Sequence, residues 1–401
     1  MLKTRLLPKN LYPSQFWLLS GGMLVSTIGN SMIWPFLTIF LTDKLDLPLS
    51  QITLLLTIKS IFTLLSSYIA GPLADQMGRK ALMFVSLAGN ALAYLLMIPA
   101  DSYLVFAGLM ALGGFFNPLF GIGSNAMIAD LLPLERRADG YSLLRMVNNA
   151  GIAIGPMVGG FIAASSYSLT FGIGAACLGA FALFILLFIA ETLPQNNDPL
   201  QEIQQADRGY GPVFKDRLFM AMCAAITLTY TASIPVFSLL SVYVKQNFGI
   251  PENQFGVLMA TNALMVVFFQ FAVTRLTRKH KPFLVMALGG LLYAIGVGSI
   301  ALGDQIHEFQ ISIIILTFGE LMIAPTSTAL TANLSPQEMR GRYMSIFGLT
   351  YGIASGLGPM IGGFLNDAIS PAAIWYGGMV MALISVGGYL VMRREYRKRI
   401  A

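Results

Sequence analysis

Residues 130–161 read DLLPLERRADGYSLLRMVNNAGIAIGPMVGGF, and residues 333–364 read NLSPQEMRGRYMSIFGLTYGIASGLGPMIGGF. The two stretches align without a gap at an offset of 203, half of the 401-residue chain. Pro133 falls over Pro336, Glu135 over Glu338, Arg137 over Arg340, and Gly155-Pro156-Met157 over Gly358-Pro359-Met360. A repeat at half the chain length means two copies of one structural unit. Composition says what kind of unit it is. The chain is 56% hydrophobic and 11% charged, with a mean hydropathy of +0.70, whereas a soluble domain carries about 25% charged residues. A water-soluble globule is excluded, and a polytopic helical membrane protein is expected.

A helix needs about 20 apolar residues to cross a hydrocarbon core of ~30 Å. Nearly uncharged segments of that length recur at short intervals, and twelve spans are expected, at residues 15–41, 51–74, 81–99, 103–132, 141–164, 168–190, 217–244, 253–276, 282–303, 309–332, 343–366 and 371–392. The repeat then lays spans 4 and 5 over spans 10 and 11. That arrangement implies an all-α fold of two pseudo-symmetric six-helix bundles related by an axis along the membrane normal. The longest polar stretch, Glu191 to Asp216, contains PQNNDP and QEIQQADRGYGP and reads as a linker. The expected organisation is an N-terminal bundle over 1–191, a cytoplasmic linker over 192–216 and a C-terminal bundle over 217–401.

Charge sets the orientation. With the N-terminus inside, 21 of the 25 Lys and Arg fall in cytoplasmic segments, from Lys3, Arg5 and Lys9 to the run Arg393–Arg399, and only Lys44 and Lys245 fall outside. By the positive-inside rule both termini are cytoplasmic, which an even number of spans requires. The first apolar run is too long for a signal-peptide core and is expected to be retained. The same bias accounts for the pI of 9.2, so nucleic-acid binding is not implied. Cys177 and Cys223 lie in apolar segments and His280 and His307 in loops, and neither an HExxH nor a Walker pattern occurs. No disulfide framework, metal site, catalytic residue or organic cofactor is expected.

The loop after span 2 reads Gly71-Pro72-Leu73-Ala74-Asp75-Gln76-Met77-Gly78-Arg79-Lys80. It resembles the GxxxD(R/K)xGR(R/K) signature of the major facilitator superfamily, with Gln76 where the family usually has a base. Together with twelve spans and the duplication, the resemblance covers the whole chain and includes the twelve-span drug:proton antiporters. It implies that Asp75 and Arg79 join an acid ending span 4, here Asp130, as a latch favouring the outward-open state. Span 5 carries Gly151, Gly155, Pro156, Gly159 and Gly160, similar to the GxxxGPxxGG motif of proton-coupled exporters in that superfamily. Gly at i, i+4 and i+8 makes a smooth strip for close helix packing. The same residues recur at Gly358-Pro359 to Gly363, so the strip also reads as plain packing. Where many such exporters carry an Arg within span 4, this chain has Met110 and its apolar neighbours.

Ionisable residues inside the spans hold the chemistry, because an unpaired charge at mid-bilayer costs at least ~2.5–3.5 kcal/mol. Glu320 lies about 17 Å into span 10 at ~1.5 Å per residue, and its Gly319-Glu320-Leu321 setting resembles that of a protonatable acid in bacterial multidrug facilitators. A protonated acid bonded in a helix interface is the bland alternative. Lys59, about 12 Å into span 2, either snorkels outward or pairs with an acid or an anionic substrate. Arg145, one turn into span 5, reads as snorkelling or bonded to Asp130 or Glu135. Asn30, Asn117, Asn148, Asn149, Tyr230, Asn262 and Gln270 are polar residues within spans, available to a cavity or to helix–helix bonds.

The expected function is proton-coupled export of amphiphilic or drug-like small molecules by alternating access. It takes place in a bacterial inner membrane, through a cavity lined chiefly by spans 1, 4, 7 and 10. Glu320 is the expected proton carrier, and Asn30, Lys59, Asn117 and Tyr230 are candidate cavity residues. The partners are a small-molecule substrate, the proton and the bilayer, with the chain acting as a monomer powered by the proton gradient. Two other readings stand beside it: a facilitator for a specific metabolite, anion or lipid-like compound using Lys59, and a transport-inactive receptor or sensor.

Overall fold

The structure, a computed structural model, describes residues 12–193, 210–336 and 339–400. Most of the expected linker, and Lys3, Arg5, Lys9, Arg208 and Glu338, lie outside the described residues. Every regular element among the described residues is a helix. Twelve are long and apolar enough to cross a membrane: Ser14–Leu45, Leu49–Met77, Arg79–Met97, Tyr103–Leu131, Asp139–Ala163, Tyr167–Phe188, Arg217–Ser238, Glu252–Thr277, Pro282–Ile300, Ile306–Leu334, Arg340–Ala368 and Ala373–Lys398, spans 1 to 12 in order. Span 1 breaks at Trp34–Phe36, beside Pro35. Span 7 likewise breaks at Leu239, four residues after Pro235, and a further helix, Leu240–Phe248, follows. The part of the expected linker nearest span 7 is helical, Gly211–Lys215, and seats Val213 in the apolar core of the C-terminal half.

The packing shows the duplication directly. In the N-terminal half span 1 packs on 5 and 6, span 4 on 2 and 3, and span 3 on 6; adding six to each number gives the packing of the C-terminal half. Between halves, span 2 meets 11 and span 5 meets 8, which the same operation exchanges. This is the contact pattern of two like bundles related by a twofold axis. Outward faces carry large apolar side chains, such as Leu264, Phe268 and Phe271 on span 8, as a surface solvated by hydrocarbon requires.

Among the described residues, the hydrogen bonds that join the halves gather toward one end. Thr57 and Ser60 hydroxyls donate to the Gly356 and Gly352 carbonyls at 3.0 and 2.8 Å, the Ser50 N–H donates to Asp367 at 2.8 Å, and the Ser241 hydroxyl donates to the Pro35 carbonyl at 2.8 Å. Buried Phe36 and Phe255 make an edge-on contact there at 5.8 Å. Backbones come so close that a Cβ on Gly160 would sit 2.6 Å from the Glu252 carbonyl oxygen, and one on Gly256 2.6 Å from that of Pro156. Toward the other end, which carries Asp75 and Arg79, Tyr68 on span 2 is 87% exposed, and Gly341 and Gly348 on span 11 face open space. The molecule is closed at the Lys245 end and open at the Arg79 end.

Candidate functional site

Glu320 lies fourteen residues from each end of span 10, Ile306–Leu334. Its neighbour Gly319 lets spans 9 and 10 touch by backbone, since a Cβ there would lie 2.6 Å from the Gly289 carbonyl oxygen. One carboxyl oxygen, Oε2, accepts from the Asn262 amide of span 8 at 2.9 Å, and the same amide donates to Thr317 at 2.9 Å. The phenols of Tyr230, Tyr293 and Tyr351 are within electrostatic reach of the carboxyl, and the Tyr230 and Tyr351 rings meet edge-on at 5.6 Å. No cation is paired with Glu320 among the described residues. Its partner is neutral, so neither protonation state is locked by an opposite charge.

Facing the cleft from the N-terminal half is a cavity of about 460 Å³, lined by spans 1, 3, 4, 5 and 6. Asn30 and Asn117 line it; Lys59, Tyr230 and Glu320 do not, nor does any residue of spans 7 or 10. The expected cavity over spans 1, 4, 7 and 10 is therefore divided, because with one end open the two walls stand apart. Lys59 instead lies where span 2 crosses span 4, its carbonyl oxygen 2.2 Å from where a Gly114 Cβ would be. Its side chain has no ion pair or hydrogen bond among the described residues. Arg145 is exposed on the cavity wall and does not bond to Asp130; the Glu135 side chain, the other expected partner, lies outside the described residues.

At the open end, Gly78 turns the chain between spans 2 and 3 with φ +88°, in the region that favours glycine. The turn folds Arg79 back onto Asp75 at 2.8 Å, the Ala74 carbonyl at 2.7 Å and Asp130 at 3.3 Å. All of these belong to the N-terminal half. Gly71 faces open space. On span 5, Gly151, Gly155 and Gly159 pack against span 1 at Thr27, Ser31 and Met32, while Gly160 packs against span 8.

Sequence reasoning missed two groups. Glu191, assigned to the linker boundary, accepts from the backbone N–H groups of Arg79 and Lys80 at 3.0 Å each, capping span 3, and from those of Thr192 and Leu193. Burial pushes this carboxyl's pKa up, but the four N–H bonds outweigh it and hold the pKa below the ordinary carboxylate value. The cap is then complete at neutral pH and through the ordinary carboxylate range, and is lost only as pH falls through the depressed value. Glu191→Ala is expected to lower stability by about 1 kcal/mol, as loss of a helix cap does; an unchanged thermal unfolding midpoint in detergent would reject the cap. The second group is at the closed end. Lys245 of the C-terminal half pairs with Asp43 of the N-terminal half and with Glu252, each at 2.8 Å, and donates to the Tyr167 hydroxyl at 3.0 Å. Tyr167 in turn donates to Glu252. Lys245 was legible only as one of two cations on the poor side of the charge bias.

Two six-helix bundles hinged at one end around a cleft with a mid-depth acid form the fold of a membrane transport protein. The sequence profile of the Major Facilitator Superfamily matches residues 19–243 and 222–400, and the chain belongs to that family of multi-pass membrane transporters. Among its relatives are a Na(+), Li(+), K(+)/H(+) antiporter of Planococcus maritimus, 25% identical over 98% of this chain and 93% of the relative, and the multidrug resistance protein MdtH of Cronobacter sakazakii, 24% identical over 96% and 95%. A crystal structure of a mutant of the nucleoside transporter NupG superposes with a TM-score of 0.81 at 12% identity, covering 94% of this chain and 99% of that one.

Proposed function

We propose that this protein is a proton-coupled exporter of amphiphilic small molecules that works by alternating access, with Glu320 as the proton carrier. The observation that carries the reading is a carboxyl at the middle of span 10 whose hydrogen-bond partner, Asn262, is neutral. At that depth the ionised form is disfavoured when water is excluded and tolerated when the cleft floods. One side chain can therefore take up and release a proton as the cleft changes sides. The names of the two relatives, one an antiporter using protons and one a multidrug resistance protein, support the same reading. Positive charge gathers at the open end, including Arg79, Lys80, Arg275, Arg278 and Lys279; that end is cytoplasmic, both termini are inside, and the structure is inward-open. The membrane is a bacterial plasma membrane and the working unit a monomer. Lys59 is not among the residues lining the N-terminal cavity, so the anion-facilitator reading built on it gains no support there.

The test is proton movement in reconstituted vesicles. Adding tetraphenylphosphonium or ethidium to one side under an opposing pH gradient should move protons in the opposite direction; Na+, Li+ and K+ form a second arm for inorganic cation exchange. Substrate counterflow without any proton movement would leave a facilitator, and absence of both would favour a receptor.

The latch reading gains a geometric basis. Spans 2 and 11 run antiparallel, with Leu49 and Thr53 beside Gly363, Ser60 beside Gly356, and Leu64 beside Gly352. Continuing this register past the last contact sets Tyr68 against Gly348, Gly71 against Ser345, and Asp75 against Gly341 in the first turn of span 11. When the open end closes, the half-exposed Asp75 carboxylate would meet the positive end of that helix. With Cys177 and Cys223 replaced by Ser, the pair Gly71→Cys and Ser345→Cys is expected to cross-link in that state. Arg79→Ala should slow the cross-link by about 5- to 150-fold, the usual range of a conformational coupling, with substrate affinity within a few-fold of wild type. An unchanged rate would reduce the motif to a topology signal.

A further inference from the structure

The cavity in the N-terminal half presents hydrogen-bond donors and no acid. Asn30 uses its side-chain oxygen to accept from the Tyr94 hydroxyl at 2.6 Å, and Asn148 uses its own to accept from Thr27 at 3.2 Å. Each amide NH2 is thereby left for the cavity. Asn117 and Asn125 have no side-chain hydrogen bond among the described residues and also line it. Arg145 lines it as well, exposed, with no hydrogen bond or ion pair among the described residues, and is the one charged residue of the lining. At the closed end the cavity reaches Trp34, whose ring faces Phe237 across the halves at 6.4 Å.

We infer that this cavity is a subsite for the carboxylate of an amphiphilic substrate. The guanidinium fork of Arg145 would hold the carboxylate bidentately, the Asn amides would donate to its remaining lone pairs, and the apolar body would lie toward Trp34. A single fixed cation balances one negative charge, so a monoanionic group fits better than a phosphate carrying nearly two. The cleft is then polarised across its width: donors and a cation on the N-terminal wall, the proton-carrying acid on the C-terminal wall. A cargo bearing both a carboxylate and a basic group would span the two. This inference rests on the cleft being a transport pathway, and it assigns Arg145 a task separate from proton carriage.

Two measurements test it, the first without knowledge of the natural substrate. In the background lacking Cys177 and Cys223, Asn117→Cys and, independently, Asn125→Cys are labelled with an anionic and a cationic methanethiosulfonate of similar size. Relative to a free thiol, both positions should favour the anionic reagent by roughly fivefold, about what one unit charge ~7 Å away produces in water. Arg145→Gln should erase that preference, and 1 M salt should weaken it. A rate ratio indifferent to Arg145 at both positions overturns the inference. The second measurement is binding of rhodamine B, which has a free carboxylate, against rhodamine 3B, its ethyl ester on the same ring system. Arg145→Gln should weaken rhodamine B about tenfold relative to the ester, while Glu320→Gln leaves the ratio unchanged. Equal losses for both dyes in Arg145→Gln overturn it as well. Should proton movement fail while charge-selective labelling holds, the coupling scheme falls and the subsite stands.

Discussion

Glu320→Gln is expected to abolish transport driven by a pH gradient while substrate counterflow persists. Gln has the shape of the protonated acid and cannot ionise, so the cleft can still load, switch and unload with no proton exchanged. The loss should be complete within detection, because among the described residues no cation pairs with Glu320 and His307, the one His within a span, sits in the first turn of span 10, thirteen residues away. Asn262→Ala should act in the same direction with a smaller effect. It removes one donor from the carboxyl, worth about 1.5–3 kcal/mol when the acceptor is charged, and should slow the coupled cycle by tenfold or more while leaving proton movement measurable. The decisive record is proton movement on substrate addition, wild type beside both variants. Equal proton movement in wild type and Glu320→Gln would reject Glu320 as the carrier and turn attention to uniport or to Asp75 and Asp130. Loss of counterflow as well would mean that Glu320 binds cargo, a different role.

The fold was legible because its cause is coarse. Crossing hydrocarbon requires long apolar helices, and a repeat at half the chain length requires two like bundles, so twelve spans and their pairing follow from composition and from residues 130–161 against 333–364. Helix ends were less legible: span 12 continues to Lys398 through a basic run that hydropathy excludes. At the site, Glu320 stood out because an acid within a span is costly, Asp75 and Arg79 because they stand four apart in one short motif, and Asp130 only through the family resemblance. The rest depends on helix rotation and on which ends touch. Nothing in a hydropathy profile shows that Glu191 returns to span 3, that Arg145 lines the cavity while the Lys59 backbone abuts Gly114 of span 4, or that Asp43 and Lys245, some two hundred residues apart, meet. Those are properties of an assembled bundle in one conformation.

Because Asp43 and Lys245 join the halves where they close, Lys245→Met is expected to shift the protein toward the state open at that end. Lys245 is the only cation in a cluster with Asp43, Glu252 and Tyr167, in which the Glu252 side chain is 10% exposed. Removing it leaves a largely buried carboxylate with a phenol as its remaining side-chain partner. In a fully buried pair such a loss costs ~3–5 kcal/mol. The Lys245 side chain is 32% exposed and water compensates in part, so a shift of about 1–2 kcal/mol is expected, roughly 5- to 30-fold in population. Glu252→Gln should shift less, since the amide still bonds to Tyr167 and Lys245. Spin labels across the closed end should report longer distances in Lys245→Met, and labels across the open end shorter ones. Arg79→Ala acts at the opposite end, about 40 Å away along helices of nearly 30 residues at ~1.5 Å per residue, and acts in the opposite direction. The two sites share no partner, so their free energies should add, and the double variant should return near the wild-type distribution. A double variant that stays at either single-variant extreme would show that the ends are not two weights on one equilibrium, and the rocking of rigid halves would have to be replaced by motion within a half.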